Sequence, residues 1–235
     1  MPEPDHDRPD TLARRVLAHC DWAAGWNAQR LLDQGTVRLY RAGDVLSRRG
    51  EHPGRIDLIL DGAVEVSLTV RSGRRHVLDF LGRGELVNLI SVLDGSGAIH
   101  DTRAHFDTHV LAIGGALMQR TIEAEPTFNR AIVGLLCKRS RHIYGGLSGT
   151  PFASVRQRCA RTLLRLANIF GEPCAEGTAI ALTLSQEVLA EMVGSARPNV
   201  NRELKQLERE GLIHLSYQRF VVTDAEGLRL AVIQE

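Results

Sequence analysis

The sequence predicts an α+β chain: a β-roll of short strands, then a long helix, then a winged helix-turn-helix. Three observations carry this. Residues 36–113 are a series of short β-prone stretches punctuated by glycine, the signature of a small barrel or roll. Residues 126–147 place apolar side chains at helical spacing over about six turns. Residues 184–223 read as a helix, a tight turn, a basic-faced helix and a hairpin, the order of a winged helix-turn-helix.

Each element has a local reason. The first ten residues, MPEPDHDRPD, are rich in Pro and Asp with no apolar run, and read as a disordered tail rather than a signal peptide or anchor. A helix is expected over 11–32, with Trp22 and Trp26 one turn apart and packed on the roll. TVRLY, DLIL, AVEVSLTV and RRHVLDFL read as strands, with turns at Asp61-Gly62 and Ser72-Gly73. From Pro126 the stripe Phe128, Ile132, Leu135, Leu136, Ile143 and Leu147 is expected to pack on a twin helix in a dimer, because the roll ahead of it needs little further cover. SGTPF then breaks the pattern and marks a hinge, with Thr150 as cap and Pro151 in the first turn of a new helix. That helix runs to Phe170, turning Val155, Cys159, Leu163 and Leu166 or Ala167 inward, and GEPCAEGTA reads as a loop. Ser185 caps the next helix, Leu184 and Leu189 form its hydrophobic staple, and Gly194 stops it by taking positive φ. The domains expected are residues 1–20 (tail and start of the first helix), 21–125 (roll), 126–149 (dimerisation helix) and 150–235 (winged helix).

Composition excludes several classes. Of 235 residues, 43% are hydrophobic and 24% charged, an ordinary globular balance. The net charge of +1 supplies no global attraction to nucleic acid, so a basic site must be local. No apolar stretch reaches the ~18 residues of a membrane span, and a cytoplasmic protein without a membrane partner is expected. The four cysteines, Cys20, Cys137, Cys159 and Cys174, form no CxxC, which argues for reduced structural thiols and against a zinc site. There is no P-loop, G-x-S-x-G or H-E-x-x-H, so an enzyme is not expected.

GSARPNVNRELKQLEREGLI, residues 194–213, sorts its side chains. At about 100° per residue, Ala196, Val200, Leu204 and Leu207 share one stripe. Pro198, Arg202, Lys205 and Arg209 lie opposite, with Arg197 and Asn201 on the flanks and Glu203, Glu208 and Glu210 to the sides. A helix read by the major groove must present donors near its N-terminus. Arg197 and Arg202 are there, and Arg forks onto guanine O6 and N7. Lys205 and Arg209, farther along, suit phosphates. Ala190 and Gly194 are small enough for the two helices to approach closely. The expected contacts are Arg197, Pro198, Asn199, Asn201, Arg202 and Lys205, with Ser185 and Gln186 from the preceding helix.

LSQEVLAEMVGSARPNVNRELKQLEREGLI resembles the DNA-binding motif of the cyclic-AMP receptor protein / fumarate–nitrate regulator (CRP/FNR) family of bacterial transcription factors. The order of roll, long helix, hinge and winged helix is similar from about residue 20 onward, and the roll resembles a cyclic-nucleotide-binding domain in its Gly positions, Gly43-Asp44, Gly50-Glu51 and Asp61-Gly62 among them. The resemblance implies a homodimer joined along the long helix, an effector site in each roll, and control of transcription at a near-palindromic duplex, with RNA polymerase an open partner. It implies that Arg197 and Arg202 contact guanines. Between them the best-known members carry a glutamate that accepts from cytosine, whereas this chain has Pro198, so the half-site is expected to be relaxed at that pair.

The sensor is where the resemblance fails. Cyclic-nucleotide binders of the family resemble one another in Gly-Glu-Leu followed, about ten residues on, by Arg-Ser or Arg-Thr. A buried phosphate needs that guanidinium and backbone donors. Aligned on the following strands, Gly-Glu falls on Asn88-Leu89 and Arg-Ser near residues 98–100; aligned on Gly84-Glu85-Leu86, the arginine falls on Gly95. No Lys or Arg lies between Arg83 and Arg103. Cyclic AMP bound in the usual way is therefore not expected. An iron–sulfur cluster is not expected either, because Cys20 stands alone. A metal or haem stays open as an alternative, since His105, Asp107 and His109 would share a face on one continuous strand. So does a regulatory module that binds no DNA. Candidate effector residues by position are Gly84, Glu85, Asn88, Leu89, His100 and Arg103; the effector itself is unknown.

Overall fold

The computed structural model describes residues 9–23, 28–69, 75–149, 153–216 and 219–233, without the side chains of residues 9, 10, 142, 143 and 145–149. The chain divides into two compact units, one of Met1–Arg75 with Phe80–His142 and the other of His76–Asp79 with Ile143–Glu235.

The first unit opens with α1 (Pro9–Ala18), a 3₁₀ turn (Asp21–Ala23) and α2 (Gln29–Gln34). Eight strands follow: β1 (Thr36–Tyr40), β2 (Val45–Ser47), β3 (Arg55–Asp61), β4 (Val64–Thr69), β5 (Arg75–Leu81), β6 (Leu86–Val87), β7 (Asp101–Ala104) and β8 (Thr108–Gly114). The helix α3 (Leu89–Asp94) lies between β6 and β7, and α4 (Gly115–Ala124) and α5 (Pro126–Gly149) follow β8. The strands form two four-stranded antiparallel sheets, β1-β8-β3-β6 and β2-β7-β4-β5. Strand β3 is buried on both faces. Ile56, Leu58 and Leu60 join a large apolar cluster with the helices, while Ile59 turns the other way into a small cluster of Leu46, Val64, Val87, Ala104 and Val110. Such two-sided burial explains why it reads as a nearly continuous apolar run. The strands expected from TVRLY, DLIL, AVEVSLTV and RRHVLDFL are all present. The Ser72-Gly73 turn lies outside the described residues.

Two expectations for this unit are corrected. The helix expected over 11–32 is broken: α1 ends at Ala18 and α2 begins only at Gln29. Tertiary bonds win here over helical periodicity. The indole Nε1 of Trp22 donates to the carbonyl of Gly84 at 3.0 Å, and the ring lies 6.3 Å from Phe128. Trp26 lies outside the described residues. The second correction concerns α5. Phe128 and Ile132 do not face outward toward a twin helix; they are buried in the large cluster with Trp22, Leu31 and Met118, and Leu135 and Leu136 pack against it half-buried. The roll needed more cover than its compactness suggested. The side chains of Ile143 and Leu147 lie outside the description.

The second unit contains α6 (Val155–Phe170), β9 (Gly171–Cys174), β10 (Gly177–Ile180), α7 (Gln186–Val193), α8 (Arg197–Arg209), β11 (Ile213–Ser216), β12 (Arg219–Val222) and α9 (Ala225–Ile233). Helix α6 is capped by Ser154 in a capping box with Gln157, both reciprocal bonds being made. The expected cap at Thr150 and first-turn Pro151 lie outside the described residues. Cys159, Leu163 and Leu166 point inward as expected, with Ala160 added. GEPCAEGTA is not a loop. It is the hairpin β9–β10, and it completes a four-stranded sheet, β11-β12-β10-β9. Its partner β12 is some forty residues away, so no local pattern marks it. Gly177 takes φ +139°, and a Cβ there would stand 2.2 Å from the carbonyl oxygen of Val222.

Phe128→Ala should destabilise the first unit by about 3–5 kcal/mol, the cost of emptying a buried aromatic site. Thermal or denaturant unfolding followed by the fluorescence of buried Trp22 measures it. A loss under about 1 kcal/mol would mean that the ring is not part of this core.

Candidate nucleic-acid interface

The interface is built from α7, the turn after it and α8. Ser185 caps α7, its Oγ accepting from the amide of Val188 at 3.1 Å. Leu184 and Leu189 are fully buried, as the staple requires. Gly194 ends α7 at φ +67°, and its amide and that of Ser195 bond back to the last turn. A Cβ at Gly194 would meet nothing within 4 Å. The position needs its left-handed backbone, then, and not the close helix approach expected of it. The chain re-enters a helix at once, with Ala196 as N-cap and Pro198 in the first turn. Ala196, expected in the apolar stripe, is exposed there.

Val200, Leu204 and Leu207 are completely buried, so the orientation of α8 is fixed by packing. Pro198, Asn201, Arg202, Lys205, Gln206 and Arg209 line a shallow groove on its outer side. Each acidic residue of the segment is engaged. Glu208 accepts from the amide of Leu215 at 2.8 Å, tying α8 to β11. Glu210 takes a two-pronged hydrogen bond from Arg156 of α6 and one from Gln206, and those bonds hold its carboxyl below the usual range. Glu203, mostly buried, pairs with Arg202 at 3.2 Å. What remains outward is basic. Arg197, Pro198 and Asn199 are exposed at the N-terminal end of α8; Gln186 is exposed at the start of α7 beside the exposed Ser185. The hairpin β11–β12 follows directly, although the tip, residues 217 and 218, lies outside the described residues.

Of the six residues suggested as an effector site, several are engaged within the unit. The carbonyl of Gly84 holds the Trp22 indole, and the carboxylate of Glu85 accepts from the amide of Gly82 at 2.9 Å. Leu89 is part of the large apolar cluster. Arg103 donates to the carbonyl of Gly43 at 2.7 Å. His100 is half-buried, and burial followed by the nearby Arg49 lowers its pKa. Asn88 differs: it takes φ +63°, a backbone region Asn tolerates, and its Oδ1 accepts from Ser47, whose hydroxyl also meets that of Thr102 at 2.8 Å. Ser47 and Thr102 are buried and were not singled out from sequence, since a lone hydroxyl in a strand gives no signal. Buried Asp57 was also missed. It pairs with Arg55, which reaches Tyr40, and burial pushes its carboxyl up against the pull of that arginine.

His105, Asp107 and His109 do not share one strand face. Strand β7 ends at Ala104 and β8 starts at Thr108. His105 stacks edge-on against Phe80 at 4.9 Å, and Asp107 binds Arg41 and the amide of Ala42. Cys20 is buried, and its thiol donates to the carbonyl of Val16.

Residues 37–125 match the family model of the cyclic nucleotide-binding domain, and residues 157–231 that of the Crp-like helix-turn-helix domain. The two occur in the order of roll and winged helix seen here. The chain belongs to the CRP/FNR family of transcriptional regulators. A CRP-like cAMP-activated global transcriptional regulator of Mycobacterium tuberculosis is 26% identical over 188 residues, covering 79% of this chain and 83% of its own. The global nitrogen regulator of Synechococcus elongatus is 24% identical over 194 residues, covering 82% and 87%. The structure of FixK2 from Bradyrhizobium japonicum shares the fold with a TM-score of 0.73 at 20% identity, covering 84% and 96%. Among the described residues no helix is long and apolar enough to cross a membrane.

Burial pushes the thiols of Cys20 and Cys159 up to about 11 and about 12. Only the thiolate reacts with alkylating agents, and below those values both groups stay protonated. Iodoacetamide at pH 8 should therefore leave Cys20 and Cys159 unmodified in the native protein and label them in denaturant. Mass spectrometry of the digests decides this, and rapid native labelling of either residue would contradict its placement.

Proposed function

We propose that this family member is a cytoplasmic homodimer that reads a near-palindromic duplex, laying α8 of each subunit in the major groove. The observation that supports it best is the division of charge on α8: apolar side chains locked inward, acids engaged sideways, basic side chains outward. Arg197 and Arg202, at the end of α8 that meets base edges, fork onto guanine O6 and N7. Lys205 and Arg209 meet phosphates, and Asn199, Ser185 and Gln186 frame the site. Pro198 offers no acceptor, so the base pair it faces is read loosely. Twin recognition helices stand about 34 Å apart, one turn of the duplex.

The dimer face follows from what α5 leaves exposed. With Phe128 and Ile132 inside the subunit, the outward stripe is Val133, Cys137 and Ser140, spaced by four and three residues like the seam of a helix pair. Tyr144 continues the same spacing. The roll then controls the dimer through an effector that is not a classically bound cyclic nucleotide. The side chain of Leu89, at one cassette position, is core; Ile99, within residues 98–100 where the arginine place falls, is an exposed apolar residue. Neither side chain offers a phosphate a charge or a hydrogen-bond donor.

Affinity for a selected duplex should fall steeply with salt, and Arg202→Ala should cost about 1–3 kcal/mol on that duplex. Fluorescence anisotropy across a salt series measures both. Salt-independent or absent duplex binding would return the chain to a regulatory module that acts without DNA. Val133→Arg, at an exposed position, should convert a native mass of two chains into one without unfolding the subunit; an unchanged dimer would place the interface elsewhere. Calorimetry with cyclic AMP should show no micromolar binding, and a clear micromolar isotherm would overturn the reading of the cassette.

A further inference from the structure

Helix α5 carries charge of one sign. Residues 126–149 include Arg130, Lys138, Arg139 and Arg141 and contain neither Asp nor Glu. Arg139 reaches inward and donates to the carbonyl of Leu86 at 2.8 Å. Lys138 lies off the outward stripe, 3.7 Å from the carboxylate of Asp21. Arg130 and Arg141 differ from both. They are exposed, and neither makes a hydrogen bond or ion pair among the described residues. Arg130 precedes Val133 by three residues and Arg141 follows Cys137 by four, so each is a surface neighbour of the stripe that Phe128 and Ile132 leave outward.

A second α5 laid on that stripe brings its own Arg130 and Arg141. A parallel twin sets each arginine near its own copy. An antiparallel twin turns the Arg130 end of one helix toward the Arg141 end of the other. Neither orientation supplies a carboxylate from α5. Helix pairs ordinarily place opposite charges beside the apolar seam, and like charges set across an interface oppose association. Arginine keeps its charge at any working pH, so screening by ions is what relieves the repulsion. We infer that salt strengthens the α5 dimer by screening Arg130 and Arg141 across the seam. This rests on α5 being the dimer helix. Duplex binding through α8 weakens with salt, so assembly and operator binding answer ionic strength in opposite senses. A preformed dimer shows only the fall in duplex affinity. Where the chain is mostly monomeric, duplex affinity rises with salt before it falls.

Sedimentation equilibrium of the full chain without DNA, across a sodium chloride series, tests this. The dimer dissociation constant should fall roughly 3- to 10-fold between about 20 and about 300 mM salt, as screening shortens the reach of the arginine charges. Arg130→Gln combined with Arg141→Gln should tighten the dimer at the lowest salt by a similar factor and flatten its salt response. Arg120→Gln, at an exposed arginine of α4, should behave as wild type. Arg130→Glu combined with Arg141→Glu, mixed with wild type at low salt, should form heterodimers beyond the statistical half, read by native mass spectrometry. Glu123 and Glu125, just ahead of α5, are also exposed. A dimer that loosens with salt would mean that carboxylates such as the partner's Glu125 meet these arginines, and it overturns the inference. A salt response that persists unchanged in the glutamine variant overturns it too, and both results leave the dimer standing. A monomer at every salt concentration removes the dimer helix, and this inference with it.

Discussion

The burial of Val200, Leu204 and Leu207 against α6 and α7 is the constraint on which the second unit depends. Each such side chain contributes about 1.5–3 kcal/mol by leaving water, so α8 cannot rotate without losing a large part of its domain's stability. Gly194 supplies the left-handed residue that lets α8 start directly after α7. Together they decide which side chains of a highly charged helix point outward, and the outward set is what we propose a duplex meets.

Electrostatics finishes what packing begins. A chain with net charge +1 can attract a polyanion only through local sorting. Here it is done by giving the acids partners: Glu208 is bound to the backbone of β11, Glu210 to Arg156, and Glu203 to Arg202. The pairing with Arg156 also fastens α6 to the end of α8. The contacts of Glu208 and Glu210 that hold the domain together thus offset negative charge beside the outer face of α8, while Glu203 stays paired with Arg202 on it.

Legibility followed the range of the interactions. Periodicity, caps and turn glycines are local, and α5, α7, α8, the wing strands and most roll strands could be read from them. The hairpin β9–β10 could not, because its strand partner β12 is remote. The break between α1 and α2 depends on a bond from Trp22 to Gly84, sixty-two residues away. Phe128 and Ile132 were correctly seen as apolar, yet sequence cannot say whether a stripe packs on its own subunit or on a twin. On α8, the outward arginine positions were legible from the helix wheel, whereas the partners of Glu208 and Glu210 appear only once the neighbours are in place. Position in a resembling cassette named six effector candidates, and the structure gives most of them structural work.

The central claim is that α8 places arginines on guanine edges, and methylation interference tests it most directly. Duplexes bearing the selected operator are sparsely methylated at guanine N7, bound to the protein, and separated into bound and free pools. Guanines read by Arg197 and Arg202 should be depleted from the bound pool in two groups related by the two-fold axis, about one turn of the duplex apart. Equal methylation of every guanine in both pools would mean that no side chain of α8 contacts N7 and would contradict the account.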